Sequence, residues 1–93
     1  MNRPRPSEAT TPTPEPWAAD LTLDASGLQC PLPVLRARKA LLGLRPGQLL
    51  LVAATDPMAA IDLPHFCAGS GHRLVASDAD GGRHRFLIER GVD

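Results

Sequence analysis

The chain has 93 residues, ten acidic and ten basic, so its formal net charge is zero. A neutral chain argues against a dedicated nucleic-acid surface, and no apolar run is long enough to span a membrane. The two cysteines, Cys30 and Cys67, form no CxxC, and no His/Cys cluster has metal-ligand spacing, so neither a disulfide scaffold nor a metal centre is expected.

The first sixteen residues (MNRPRPSEATTPTPEP) hold five of the ten prolines and no continuous apolar stretch. Such a segment cannot bury enough surface to offset its ordering, so residues 1–19 are expected to form a disordered or extended arm. Arg3 and Arg5 are not followed by an apolar run, so no secretory signal is expected here, and a cytoplasmic protein with reduced thiols is the expectation. Residues 20–93 then form one small domain, large enough to bury roughly 60% of its unfolded surface in one modest core.

Asp20-Leu-Thr-Leu-Asp24 alternates polar and apolar residues, as a half-buried strand does. Gly27 permits a turn. From Pro31 to about Leu44 the positions Val34, Ala37, Leu41 and Leu44 recur at helical spacing, and Arg45-Pro46-Gly47 stops the helix. Arg36, Arg38 and Lys39 supply its charge, with Arg38 leaning toward the apolar side. Gln48 to Thr55 is apolar almost throughout and reads as a central strand. Asp56-Pro57 is a good cap and first-turn pair for a second helix over 57–70, kinked or restarted at Pro64. Arg73 to Asp78 is a short strand, Asp80-Gly81-Gly82 a hairpin turn, and Arg83 to Arg90 the last strand, with His84, Phe86 and Ile88 on one face.

The order β-α-β-α-β-β predicts a two-layer α/β sandwich, with both helices on one face of a four-stranded mixed sheet. The other face is left open and partly apolar. Two readings stay open for it: a docking or dimer surface, or a face covered by Trp17 or the arm.

The stretch GLQCPLP, residues 27–33, concentrates the chemistry. Pro31 at the first helical position loses nothing, because first-turn amides have no internal partners, and Pro33 falls within the same turn. Cys30 is then the N-cap or its neighbour. A helix N-terminus favours negative charge, so the Cys30 thiol is expected to ionise more easily than free cysteine. The competing reading is a buried cysteine packed as a small apolar residue; the glycine turn and the strand-to-helix loop favour the reactive one. Cys67 follows Phe66 inside the second helix and is assigned to the core. His65, His72 and His84 have no partner at useful spacing and are taken as surface or partly packed.

These residues resemble the TusA/SirA-like sulfur carriers. The segment LDASGLQCPLPVLRARKAL carries the family's Gly-Leu-x-Cys-Pro-x-Pro core at Gly27, Leu28, Cys30, Pro31 and Pro33. Asp56-Pro57, Asp62-Leu63-Pro64, Phe66-Cys67 and Gly71-His72 form a second matching block, and DGGRHRFLIERG is similar to the family's last hairpin. The resemblance spans about residues 20–91. It implies that Cys30 takes sulfane sulfur as a persulfide from a donor such as a cysteine desulfurase or a rhodanese-like protein. Cys30 would then relay the sulfur to a downstream acceptor protein, in tRNA thiolation, cofactor sulfuration or sulfur oxidation. It implies a sulfurtransferase that works as a stoichiometric carrier, with no cofactor and no metal. Leu28, Gln29, Leu32, Arg36 and Lys39 are the candidate partner-binding residues, and the protein is expected to be a monomer or weak dimer that does not bind nucleic acid directly. Leu32 stands where members serving tRNA thiouridine synthesis often carry Glu, which makes the mouth of the site more apolar. The alternative is a cysteine-based redox or regulatory module that moves no sulfur. The lack of a nearby resolving cysteine weakens it. An RNA-binding sheet ranks below both, since two phenylalanines, one tryptophan and no tyrosine leave few stacking platforms.

Overall fold

A computed structural model describes residues 17–92, so residues 1–16 of the arm expected over residues 1–19 lie outside the described residues, and Trp17, Ala18 and Ala19 precede the first strand without joining a helix or strand. Six elements follow in chain order: β1 (Leu21–Ala25), α1 (Leu32–Leu42), β2 (Leu49–Ala54), α2 (Ala59–Ser70), β3 (Arg73–Asp80) and β4 (Arg83–Glu89). The sheet order is β1-β2-β4-β3. β1 runs parallel to β2, and β4 runs antiparallel to both β2 and β3. This is the two-layer α/β architecture expected, with a mixed sheet and both helices packed on one of its faces.

The hydrophobic pattern explains the arrangement. β2 is apolar on both sides because it is a central strand, flanked by β1 and β4. Its Leu50, Val52 and Ala54 are buried under the helices, together with Ala37 and Leu41 of α1, Ala59, Leu63 and Cys67 of α2, and Phe86 and Ile88 of β4. Val34 and Leu44 pack at the margin of this core as half-buried residues. β2 and β3 both run antiparallel to β4 and so parallel to each other. The β3–β4 hairpin therefore slots β4 into the space that the β2-α2-β3 crossover leaves.

Several boundaries differ from expectation. α1 ends at Leu42, and Gly43 is its C-cap. There the Gly43 N–H bonds to Ala40 O and the Leu44 N–H to Leu41 O, a tightened last turn. α2 is one continuous helix through Pro64, neither broken nor restarted. The carbonyl that Pro64 leaves without an amide belongs to Ala60, an exposed residue, where water can serve it. β3 extends to Asp80, since Gly81 and Gly82 both take positive φ (59° and 82°) and form a two-residue turn between paired Asp80 and Arg83.

The helix-free face of the sheet has a narrow apolar strip, Leu51 and Leu87, beside the Asp78–Arg85 ion pair, in which Arg85 Nε donates to Asp78 Oδ1 at 3.0 Å. The Trp17 ring stacks on the Arg85 guanidinium, 4.4 Å from ring centroid to Cζ. Of the two readings of this face, the structure brings Trp17 onto it. Among the described residues no helix is long and apolar enough to cross a membrane.

Candidate functional site

Parallel pairing places the C-terminal ends of β1 and β2 side by side, with Ala25 paired to Ala54. The loops that leave these ends, 26–31 and 55–58, are therefore neighbours. They enter α1 and α2 respectively, so both helix starts converge at one edge of the domain. In open α/β sheets this is where ligand and catalytic groups collect.

The first loop is built residue by residue. Asp24 Oδ1 accepts the Ser26 N–H at 3.0 Å, a local Asx turn. Gly27 takes φ 82°, which the turn requires, and its N–H donates to Thr55 Oγ1 at 2.8 Å. Leu28 is half-buried against the core and anchors the loop. The Cys30 N–H donates to Asp56 Oδ2 at 2.6 Å, while Asp56 Oδ1 accepts the Met58 N–H at 3.0 Å. One carboxylate thus ties the Cys30 backbone to the entry of α2. These two amide bonds hold the Asp56 carboxyl below the usual carboxylate range.

The helix start is shifted by one residue from expectation. Pro31 is the N-cap of α1, with φ −99° and ψ 16°, and its carbonyl accepts the Leu35 N–H at 3.1 Å, the first bond of the helix. Leu32 opens the helix and Pro33 sits in its first turn, where proline is tolerated. Cys30 lies just before the cap, preceding a cis peptide bond to Pro31. It is exposed, as the reactive reading requires.

The electrostatics correct the expectation that the helix start lowers the Cys30 pKa. The Cys30 Sγ donates a hydrogen bond to Asp62 Oδ2 at 2.9 Å, and this bond pushes the thiol up. Desolvation and the charges of Asp62 and Asp56 act in the same direction. Of the nearby amides, the Leu32 N–H bonds to Gln29 O at 2.8 Å, the Leu35 N–H to Pro31 O at 3.1 Å, and the Cys30 N–H to Asp56, so none of these three donates to the sulfur. Arg36, Arg38 and Lys39 are all exposed on α1.

Asp62 is the residue that sequence reasoning missed. It lies in the first turn of α2, and only the parallel β1–β2 pairing brings that turn to Cys30. The exposed apolar side chains Met58 and Ile61 were missed as well; they lie between the two aspartates in sequence and stand 45% and 63% exposed. With Leu32 at 43% and Leu35 at 49%, they give both helix starts an apolar, solvent-facing character. Of the candidate partner-binding residues, Gln29, Leu32, Arg36 and Lys39 are exposed, whereas Leu28 is turned into the core margin.

Cys67 occupies the core as expected; burial pushes its thiol up to about 11. His65 is exposed, and the half-buried His84 stacks on Phe86. His72 Nδ1 accepts the Gly91 N–H at 2.9 Å, and burial lowers its pKa. Among the described residues no group of three His, Cys, Asp or Glu side chains is placed to hold a metal ion.

Two comparisons bear on the chain as a whole. The family model described as sulfurtransferase TusA matches residues 21–90. The crystal structure of a SirA-like protein from Desulfitobacterium hafniense is 32% identical, with a TM-score of 0.68; the alignment covers 76% of this chain and 97% of that one. The chain belongs to the TusA family of sulfurtransferases.

Proposed function

We propose that this protein is a sulfur carrier whose Cys30 receives sulfane sulfur as a persulfide and passes it to an acceptor protein. The observation that carries this reading is the pairing of an exposed thiol, Cys30, with a second thiol, Cys67, that is sealed in the core. Only Cys30 can meet a partner's sulfur. Cys67, in the core of α2, does not serve as its resolving thiol, which weighs against a redox cycle through an internal disulfide.

The reaction is a thiol–persulfide exchange. The Cys30 sulfur bonds to the outer sulfur of the donor persulfide, and the donor's S–S bond breaks. The donor leaves as a thiolate and ends as a thiol, taking up the equivalent of the proton that Cys30 gave up. No oxidant or reductant is consumed, so no cofactor is needed. Delivery is the same exchange with the acceptor's thiolate attacking. A cysteine desulfurase or a rhodanese-like protein fits the donor role. Leu32, Leu35, Met58 and Ile61 offer an apolar seat for such a protein around the thiol, with Gln29, Arg36 and Lys39 as polar contacts at its border. Cofactor sulfuration, sulfur oxidation and tRNA thiolation are the pathway classes this role serves, in the cytoplasm.

Intact mass after incubation with a cysteine desulfurase and cysteine tests the reading. Wild type is expected to gain the mass of one sulfur atom and lose it on reduction. Cys67→Ser keeps the gain and Cys30→Ser abolishes it. Equal loss in both variants, or no gain from either a desulfurase or a rhodanese-type donor, would leave Cys30 as a redox or regulatory thiol.

A further inference from the structure

The contact between Cys30 and Asp62 carries a second conclusion, which rests on the reading of Cys30 as the sulfur-bearing residue. A carboxylate oxygen offers only lone pairs. At 2.9 Å from Asp62 Oδ2, the Cys30 sulfur must therefore supply the hydrogen, because a thiolate there would put two anions in contact. The geometry is that of a protonated thiol.

Asp56, the other acid at the site, is committed to structure, since its two oxygens receive the Cys30 and Met58 amides. Asp62 makes no such bond to the start of its own helix, which has no side-chain cap, and reaches across to the sulfur instead. The charged groups that act on the thiol are thus Asp62 from α2 and Asp56 from the loop before it, and both are negative.

We propose that Asp62 is a positioning residue that gates Cys30: its carboxylate holds the resting carrier as a thiol, and sulfur is taken up only once that hydrogen bond is broken. The unpartnered carrier is then a slow nucleophile toward stray electrophiles and oxidants, although its sulfur is fully exposed. When the bond breaks, the thiol proton leaves for water, the Cys30 sulfur attacks the donor's outer sulfur, and the departing donor thiolate takes up a proton. Proton count and oxidation state both balance across the step. Ile61, exposed and next to Asp62 in sequence, belongs to the same first turn of α2.

The test needs no sulfur donor, so it separates the gate from the carrier reading. The rate of iodoacetamide alkylation is followed on the Cys30-containing peptide by mass spectrometry across pH. Wild type, Asp62→Asn, Asp62→Ala, Asp62→Glu and a free peptide of residues 27–33 are compared. The wild-type midpoint is expected above that of the free peptide. Asp62→Asn and Asp62→Ala move it down and raise the rate at neutral pH several-fold, and Asp62→Glu falls between them and wild type. Thermal melting of each variant confirms that the shift is not unfolding. A wild-type midpoint at or below that of the free peptide overturns the proposal whatever the variants do. A folded Asp62→Asn protein with the wild-type profile overturns it equally.

Discussion

The two cysteines of this chain occupy opposite kinds of environment and are both kept protonated. Cys30 stands at the edge where two strand ends and two helix starts meet, open to solvent. Cys67 is 2% exposed on the inner face of α2. Burial alone accounts for the raised pKa of Cys67, whereas a single carboxylate leads the causes at Cys30. Desolvation can be relieved only by opening the core. A hydrogen bond across a surface can be relieved by a rotamer change or by a partner. The same direction of shift thus has two physical origins, and on the proposed function only the one at Cys30 is open to a partner.

The strongest way to break this contrast is to damage the core. Phe86 is 2% exposed and packs with Cys67, Leu63 and Ile88 in the same cluster. Phe86→Ala is expected to cost about 3–5 kcal/mol, combining lost burial with an unfilled cavity. The denaturation midpoint falls sharply, and Cys67 alkylation accelerates in proportion to the unfolded population. Cys30 alkylation in the folded protein changes little, because the Asp62 contact is not made of core residues. If Cys67 labelling stays slow in a clearly destabilised variant, its protection is not global.

A finer test uses the alkaline limb of stability. The folded Cys67 thiol ionises near 11, against 9.0 for an unperturbed thiol. A group with a raised folded pKa contributes its full stability below the unfolded value and loses it as pH rises through the folded one. Wild-type melting temperature should therefore decline between pH 9.0 and about 11 by an amount that Cys67→Ala does not show. The variant starts lower at neutral pH, since it removes a buried sulfur, and the two curves converge on the alkaline side. Parallel curves over that window would mean that Cys67 ionises without cost and is not sealed.

How far the sequence reaches is clearest at these same two sites. The place of Cys67 was legible because helical spacing next to Phe66 fixes a face. The helix start at Cys30 was legible because Pro31 and Pro33 exclude a helix interior. Apolar periodicity and glycine punctuation likewise carried the element order, the mixed sheet and the turn at Gly81-Gly82. The upward shift of the Cys30 thiol was not legible, because its largest cause is a side chain 32 positions further along. Local reasoning weighed Cys30 against its own helix, where the N-terminus favours a thiolate. Tertiary pairing supplied the opposing carboxylate and occupied the helix-start amide. Asp56 was half legible: Asp-Pro announced a helix close by, but α2 starts at Ala59 with Met58 as an N-cap that no side chain caps, so Asp56 holds the Met58 amide ahead of the helix, and its grip on the Cys30 amide needs β1 beside β2. The restart expected at Pro64 does not occur, since the carbonyl left without an amide belongs to exposed Ala60, where water can serve it.

The smallest effect separates the two aspartates. Asp56→Asn keeps the side-chain oxygen that one backbone amide needs, and replaces the other with a donor that faces an N–H. The Cys30 amide or the Met58 amide then loses its acceptor, and the loops at the strand ends loosen. A modest drop in melting temperature is expected at neutral pH. The folded Asp56 carboxyl titrates below 3.8, so its stabilisation is present above that value and is lost as pH falls through the lower folded one. The melting temperature of Asp56→Asn should therefore fall less steeply than wild type on the acid side, and the two should approach each other there. At Cys30 the same change removes the weaker of two negative charges and leaves the Asp62 bond in place. The alkylation midpoint should move down slightly, by less than Asp62→Asn moves it. A larger shift from Asp56 than from Asp62 would reverse their roles: the thiol would then be controlled by how its backbone is held and not by the carboxylate its sulfur touches.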